Sequence, residues 1–464
     1  MLSAELAQRL RNGFYAWPAL QYPYRSWMDF QSRFALLRGQ PYDASRFMLH
    51  MWRHLGGERL GARRIARLNE IIRESCYRDD RLLPASENRL RREFTRSPTA
   101  EELRKLYASF PPEHQVRLRF PNDEDPERQG NLIVLKPHDA NTGERGVLML
   151  MYSEAVLAMA AIYDLGALAS RYMFVLEPSS WGYQDVRFLF YLGSDLDVLI
   201  QSPREADFAF IESLQTNLIP TRVGAGEWVD PATFRPRDPG TPAKYDVVMV
   251  AAWDPLKRHE LFFRAAADYK QKHEKDLKFA LIGYPMGWTR ATIDKLLRQY
   301  ELESNCDVFE KIPHAEVARI VADSQVSLLL SRREGANRAI YESMFCGTPI
   351  IVYRHQCGVN LDHVNARTGL LAGESELADA INHMLTHHDD FDPRGWAIEN
   401  AGYAKATGKI NTALRKMAEG RGLPWTQDIA AKKSAPELRY AEPGKYKEFT
   451  AEYESLSQFL LPVN

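Results

Sequence analysis

Two carboxylates, Glu334 and Glu342, lie with seven residues between them in the stretch QVSLLLSRREGANRAIYESMFCGTPIIVY, Gln325 to Tyr353. That spacing suits a ligand with two separated polyols. One acid can take the hydroxyls of a hexose, the other the vicinal hydroxyls of a ribose. Backbone amides at the start of a helix would face the same crevice, and a diphosphate could sit between the two ends. These residue types outline a nucleotide-sugar site. The same two acids would also fit an ordinary helix start with an acidic first turn and a surface Glu.

The elements that must position them are legible from periodicity. Val326, Leu328, Leu329 and Leu330 form a short apolar run that reads as a strand buried on both faces. Ser331, Arg332 and Arg333 lead to Glu334 and Gly335, after which Ala339, Ile340, Met344 and Phe345 fall at helical spacing. Gly347 stops the helix, and Thr348-Pro349 reset the chain before a second buried run, Ile350 to Val352. This strand, turn and helix place Glu334 at the strand's carboxyl end, the edge where open α/β sheets bind ligands.

Glu334-Gly335, Glu342, Met344, Gly347 and Pro349 resemble the signature of retaining glycosyltransferases of the GT-B architecture, family four. The resemblance implies two doubly wound Rossmann-like α/β domains and transfer of a sugar from a UDP- or GDP-sugar to a hydroxyl of a glycan or lipid-linked acceptor. It implies that Glu334 holds the donor sugar and Glu342 the ribose, with Gly335, Ala336, Asn337, Arg338 and Arg332 around the donor. Ala336 and Asn337 stand where the family has Phe and a second Gly.

Trp253-Asp254-Pro255-Leu256-Lys257-Arg258-His259 follows a predicted strand, Tyr245 to Ala251. In the family this turn carries an Arg and a Lys that grip the diphosphate. Lys257 falls on the Lys position and Ala252 on the Arg position, leaving Arg258 or Arg332 to supply the second cation. A departing nucleoside diphosphate develops negative charge, which fixed cations in a dry crevice stabilise. Glu334, Lys257 and Arg258 are therefore the candidate catalytic residues. The resemblance also implies base contacts near Ile312 and Pro313. It implies no cofactor and no metal, the leaving diphosphate itself accepting the proton of the attacking hydroxyl. Asp195-Leu196-Asp197 and Asp390-Phe391-Asp392 match the Asp-x-Asp metal pattern of a different architecture, a triplet common by chance.

Going outward, residues 122–236 read as an acceptor-side Rossmann-like domain, 237–400 as the donor domain, and 401–464 as helices packing back toward the first half. The apolar runs at Asn131 to Lys136, Val147 to Met151, Tyr172 to Leu176, Asp197 to Gln201 and Asn217 to Val223 alternate with helical patterns, which predicts a parallel sheet. The loop His138 to Gly146 resembles loosely the family's glycine-rich turn near the donor phosphates, making His138, Gly143, Glu144, Arg145 and Gly146 candidates for acceptor or phosphate contacts. A surface loop is the plainer alternative. Trp228 to Pro236 resembles the family's hinge, stiffened by Pro231 and Pro236 and anchored by Phe234.

A net charge of −1 argues against bulk affinity for nucleic acid. The charge is uneven, however. Residues 1–120 hold 22 Lys and Arg against 13 Asp and Glu. There Arg9, Arg11, Arg63, Arg64, Arg67, Arg73, Arg89, Arg91 and Arg92 alternate with apolar residues at helical intervals. Such an Arg-rich helical region, 1–121, could dock on anionic lipid, bind an anionic acceptor, meet an acidic partner, or be a solvated face with internal ion pairs. Cys76, Cys306, Cys346 and Cys357 form no CxxC pair, which fits reduced thiols in a cytosolic setting. The charged first helix is no signal peptide, and Glu154, Asp164 and Arg171 interrupt the apolar stretch Gly146 to Leu176. The expected location is cytoplasmic, extending to the inner membrane face.

Three other classes compete. A NAD-dependent oxidoreductase would be doubly wound too, but GxGxxG is absent from both first turns. A nucleotide-sugar epimerase would need no acceptor. A noncatalytic GT-B-like subunit would bind a glycan or partner without turnover, and Ala252 favours that option.

Overall fold

The computed structural model describes residues 118–121, 123–178, 186–192, 196–332, 334–335, 337–356 and 358–461, with 23, 26, 27, 30, 31, 33, 34, 37 and 38 near the start. Contacts divide the chain into two units, Met1–Val116 and Arg117–Asn464. The nine arginines of the basic region named above lie outside the described residues, as do Cys76, Asp195, Ala336 and Cys357.

The second unit holds two α/β sheets. In the first, β1 (Leu132–Lys136), β2 (Gly146–Met151), β3 (Tyr172–Glu177), β4 (Val198–Gln201) and β5 (Leu218–Thr221) pair in chain order. The first four are buried along their whole length, as continuous apolar runs require. Helices α1 (Ser153–Ile162), α2 (Leu165–Ala169) and α3 (Glu205–Ser213) connect them. The helix expected around Val186 to Leu192 is a 3-10 turn, Val186–Tyr191.

One expectation is corrected. β2 to β5 run parallel, but β1 pairs antiparallel with β2, Leu132 facing Leu150 and Val134 facing Leu148. The connection decides this. Parallel neighbours need a crossover of a dozen or more residues, whereas residues 137–145 fold as a hairpin closed by an Asp139–Glu144 bridge. The His138 to Gly146 loop therefore lies at the amino ends of β2 to β5, the edge opposite the one where a parallel sheet presents its ligand crevice.

The second sheet contains β6 (Tyr245–Val250), β7 (Phe279–Gly283), β8 (Cys306–Glu310), β9 (Ser324–Leu329), β10 (Ile350–Tyr353) and β11 (Gly369–Ala372). Its order is β11-β10-β9-β6-β7-β8, parallel throughout. The chain starts in the middle and winds out both ways, so the topological switch point falls between β6 and β9. Its helices are α4 (His259–His273), α5 (Arg290–Gln299), α6 (His314–Ala322), α7 (Ala339–Phe345) and α8 (Leu377–Thr386). α9 (Pro393–Asn400) and α10 (Tyr403–Gly420) follow, separated at Gly402, whose φ of +90° is incompatible with a continued helix.

The tail then returns to the first sheet. Ala430 N donates to Leu135 O at 2.6 Å, and Val229 bridges Ala435 beside the hinge. The Tyr440 hydroxyl donates to Val134 O at 2.6 Å and the Tyr453 hydroxyl accepts from Val134 N at 3.0 Å. Phe459 packs edge-on against Tyr172. Between these contacts runs a short hairpin, β12 (Lys432–Lys433) with β13 (Arg439–Tyr440), and a last helix, α11 (Thr450–Ser455).

Candidate functional site

Lys257 and Glu334 come from the two loops that flank the switch point. After β6 the chain makes a 3-10 turn, Pro255–Lys257, whose first free amide, Leu256 N, is capped by Asp254 Oδ1 at 2.8 Å. After β9 it runs through Ser331 to Glu334. Lys257 Nζ donates to Glu334 Oε1 at 2.6 Å and to Oε2 at 2.8 Å, and Ser331 Oγ donates to Oε1 at 2.5 Å. Seventy-seven residues apart in sequence, the ammonium and carboxylate thus form one charge-assisted pair. The backbone over it is tight. Gly358 holds φ at +118°, and a Cβ there would lie 1.7 Å from Glu334 O.

Arg258 adopts a left-handed conformation, φ +61°, as N-cap of α4. Its Nη1 donates to Leu330 O at 3.2 Å and its Nη2 pairs with Glu374. Arg332 Nη2 reaches the same Glu374 Oε1 at 2.8 Å. Both guanidinium groups lie over the Tyr353 ring, 4.7 and 5.9 Å from its centre. Burial alone would raise the Glu374 carboxyl, but the two arginines outweigh it and hold the pKa below the usual range. Arg258 and Arg332 are brought together beside the Lys257–Glu334 pair's loops, while Ala252 is a buried methyl with no charge to offer.

Glu342 has different surroundings. It is buried on α7, and among the described residues its carboxylate makes no hydrogen bond. Burial pushes its pKa up to about 7, with the Arg338 charge pulling the other way. Arg338 itself crosses to the first half of the unit. Its Nη2 donates to the Tyr152 hydroxyl at 3.0 Å and its Nη1 to Ser434 O. Asn337 Oδ1 accepts from Ile340 N, in the first turn of α7, at 3.2 Å. A Cβ on Gly226, in the turn just before the hinge, would lie 2.0 Å from Asn337 O, so that turn and the loop before α7 are in backbone contact. Gly335 is half-buried in the same loop. Ile312 packs against the core under the second sheet and Pro313 stands at the N-cap of α6 behind β8, the outermost strand of the sheet.

The five candidates from the β1–β2 loop are not brought to this place. His138 Nδ1 lies 2.9 Å from Glu144 O and its backbone N donates to Glu452 Oε1 at 3.0 Å. The buried Glu144 carboxylate accepts from Lys136 Nζ at 2.6 Å and from the Thr426 and Gln427 amides at 2.8 and 3.3 Å. Arg145 Nη1 donates to Asp197 Oδ2 at 2.7 Å. Gly143 supplies the turn at φ +72°, and Gly146 leaves no room for a side chain against Lys136 O and Tyr172. These residues fasten the hairpin to the tail and the sheet at the amino edge.

A polar cluster that sequence reasoning missed occupies the carboxyl edge of the first sheet. Glu177 ends β3, Gln201 ends β4, and Lys432 arrives from the tail. All three are buried. Lys432 Nζ lies 3.8 Å from Glu177 Oε2, 3.9 Å from the centre of a Trp228 ring and 2.9 Å from Ser434 Oγ. Burial raises the Glu177 pKa and lowers that of Lys432 to about 8. Among the described residues Glu177 Oε2 and both side-chain polar atoms of Gln201 have no well-formed hydrogen bond, and Arg338 adds a second positive charge nearby. The only sequence signal was a charged or amide residue closing each apolar run. Lys432 had none.

Asp197 of the first Asp-x-Asp triplet is also paired with Arg421, and Asp392 of the second caps α9 and pairs with Arg367. Among the described residues no helix is long and apolar enough to cross a membrane.

Comparison with solved structures returns distant likenesses. Sucrose-phosphate synthase from Thermosynechococcus elongatus aligns at 17% identity over 59% of this chain and 74% of its own, TM-score 0.45. HepE of Anabaena, solved in complex with UDP-glucose, aligns at 13% identity over 58% and 78%, TM-score 0.46. TarM of S. aureus, solved with Fondaparinux, alpha-GlcNAc-glycerol and UDP, aligns at 12% identity over 66% and 68%, TM-score 0.42. No curated protein sequence matches. Residues 234–400, which carry both loops of the switch point and both acids, match the family described as Glycosyl transferases group 1.

Proposed function

We propose that this chain is a retaining glycosyltransferase that moves a sugar from a UDP- or GDP-sugar to a hydroxyl of a glycan or lipid-linked acceptor. The observation that carries the reading is the Lys257–Glu334 pair at the switch point of a sheet inside the segment that matches the group 1 family. In this reading Glu334 accepts the hydroxyls of the donor sugar and Lys257 turns its ammonium to the diphosphate. Arg258 and Arg332, preorganised by Glu374 and Tyr353, supply the cation missing at Ala252. Charge that develops on the leaving diphosphate then meets fixed positive groups that need little reorganisation. Glu342 takes the ribose hydroxyls, which satisfy a buried carboxylate that makes no hydrogen bond among the described residues. Gly335, Ala336, Asn337 and Arg338 border the donor, and Ile312 and Pro313 the base.

The acceptor hydroxyl attacks from the side the diphosphate leaves, and a diphosphate oxygen takes its proton. Protein cations provide the electrostatic stabilisation, so the reading requires no metal or other cofactor. No nucleic-acid partner enters it, and the reaction belongs at the cytoplasmic face of a membrane or in the cytoplasm.

A noncatalytic subunit of the same architecture is the second reading. It is favoured by Ala252 and by a Lys257 already neutralised by Glu334. Release of UDP or GDP from a panel of nucleotide sugars, with and without membrane extract, separates the two. Turnover of one donor supports transfer. No turnover, with no nucleotide raising the thermal midpoint, leaves the noncatalytic reading.

A further inference from the structure

Near the start of the chain, Trp27, Phe30, Phe34 and Leu37 are all helical and follow one another at spacings of three, four and three. That spacing puts them on one face. The face is open, with exposures of 55%, 54%, 38% and 86% in that order. Single exposed apolar residues are ordinary, but a contiguous stripe of large ones marks an interaction surface. The three rings stack in series, 6.0 Å from Trp27 to Phe30 and 5.9 Å from Phe30 to Phe34. Arg38 lies over the last of them, its guanidinium carbon 4.3 Å from the Phe34 centre.

Charge indicates the partner. The unit Met1–Val116 carries 20 Lys and Arg against 13 Asp and Glu, in a chain whose total is −1. The excess positive charge thus sits in the unit that carries the stripe, with Arg33 and Arg38 on the same helical stretch. A face of Trp, Phe and Leu with arginines at its margins matches the boundary between headgroups and acyl chains of an anionic bilayer, where aromatic rings settle and guanidinium groups remain with phosphates. A second copy of the chain fits less well. The pattern spans 11 residues, about one and a half heptads, where a coiled coil needs about three to four, and three of the four positions are aromatic.

We propose that the Trp27–Phe30–Phe34–Leu37 face docks this chain on the surface of an anionic membrane, lying in the interface without crossing it. The inference stands apart from the transfer reading, because it uses none of that site's residues.

The test is flotation of the full chain with vesicles of phosphatidylcholine alone or mixed equally with phosphatidylglycerol. The chain is expected to float with the mixed vesicles, to remain behind with the neutral ones, and to be released by high salt. Each basic residue at such a surface is worth about fivefold in partition, so the preference for mixed vesicles should exceed about tenfold. Trp27→Ser with Leu37→Ser should lose binding while the thermal midpoint and any nucleotide release stay at wild-type values. Three results would overturn the proposal: no flotation with mixed vesicles, equal flotation by the double variant, or a concentration-dependent dimer that the double variant abolishes without any vesicle binding. Nucleotide release, measured on the same preparations, reports separately on the transfer reading.

Discussion

Replacing Lys257 by Met tests whether its ammonium serves the reaction or only neutralises Glu334. In the folded chain that ammonium makes two contacts to the carboxylate, at 2.6 and 2.8 Å, and Ser331 provides the remaining one. Removal leaves a mostly buried carboxylate with a single hydroxyl, at a cost of about 1–3 kcal/mol. With about 2.1 cal/mol/K of unfolding entropy per residue, a chain of 464 residues loses about 1 °C of thermal midpoint per kcal/mol. The catalytic effect should be separate and larger. Losing one fixed charge against a developing oxyanion costs about 3–4 kcal/mol, or about 100- to 1,000-fold in kcat. Adding Glu334→Gln removes the stranded charge and keeps an acceptor for Ser331, so the double variant should recover most of the stability and none of the rate. Thermal denaturation and nucleotide release from the active donor read the two quantities. Unchanged kcat in Lys257→Met, or recovery of rate along with stability in the double variant, would refute the role assigned to this lysine.

Gly358→Ala should lower nucleotide release by at least about tenfold, because a Cβ 1.7 Å from Glu334 O must displace the backbone that carries the acid. Its φ of +118° also makes any side chain there strained, and circular dichroism melts should show a modest loss of stability. Glu342 gives a pH dependence with a defined sign. Its folded pKa, about 7, exceeds the ordinary 4.5, so the folded state holds the proton longer and stability falls as pH rises from about 4.5 to 7. The contribution is up to about 3 kcal/mol, and Glu342→Gln should flatten that part of the pH–stability profile in urea titrations. Lys432→Met should destabilise by about 3–5 kcal/mol by stranding Glu177, with Glu177→Gln restoring part of it in the double variant. A single variant as stable as wild type would show that the cluster is not charged in the fold.

The strands were legible because a strand buried on both faces must be a continuous apolar run, as at Leu328 to Leu330 and Ile350 to Val352. The loops carrying Lys257 and Glu334 followed, since each begins where such a run ends. Strand direction was not legible in the same way. Apolar periodicity at Leu132 to Lys136 is the same for either direction, and the short hairpin connection decides it, which moved His138, Gly143, Glu144, Arg145 and Gly146 to the far edge. Long-range partners were also beyond reach. Lys432 joins Glu177 across 255 positions, and nothing local in the tail marks that lysine as buried. Gly358 was visible as a loop residue, but its constraint is a backbone contact with Glu334 that only the fold creates. Arg338 was read as a donor contact from its place beside Glu334. The structure shows where its side chain goes, to Tyr152 and Ser434.

In the proposed reaction one activated-sugar ligand spans Glu334, Lys257 and Glu342, although in the ligand-free chain Glu334 is paired with Lys257 while the Glu342 carboxylate makes no hydrogen bond among the described residues. A crystal structure of the Lys257→Met variant with an intact nucleotide sugar tests this most directly. Sugar hydroxyls are expected on Glu334, ribose hydroxyls on Glu342 and the diphosphate between them, facing position 257 and Arg258 or Arg332. A nucleotide bound elsewhere, or a ribose with no contact to Glu342, would contradict it.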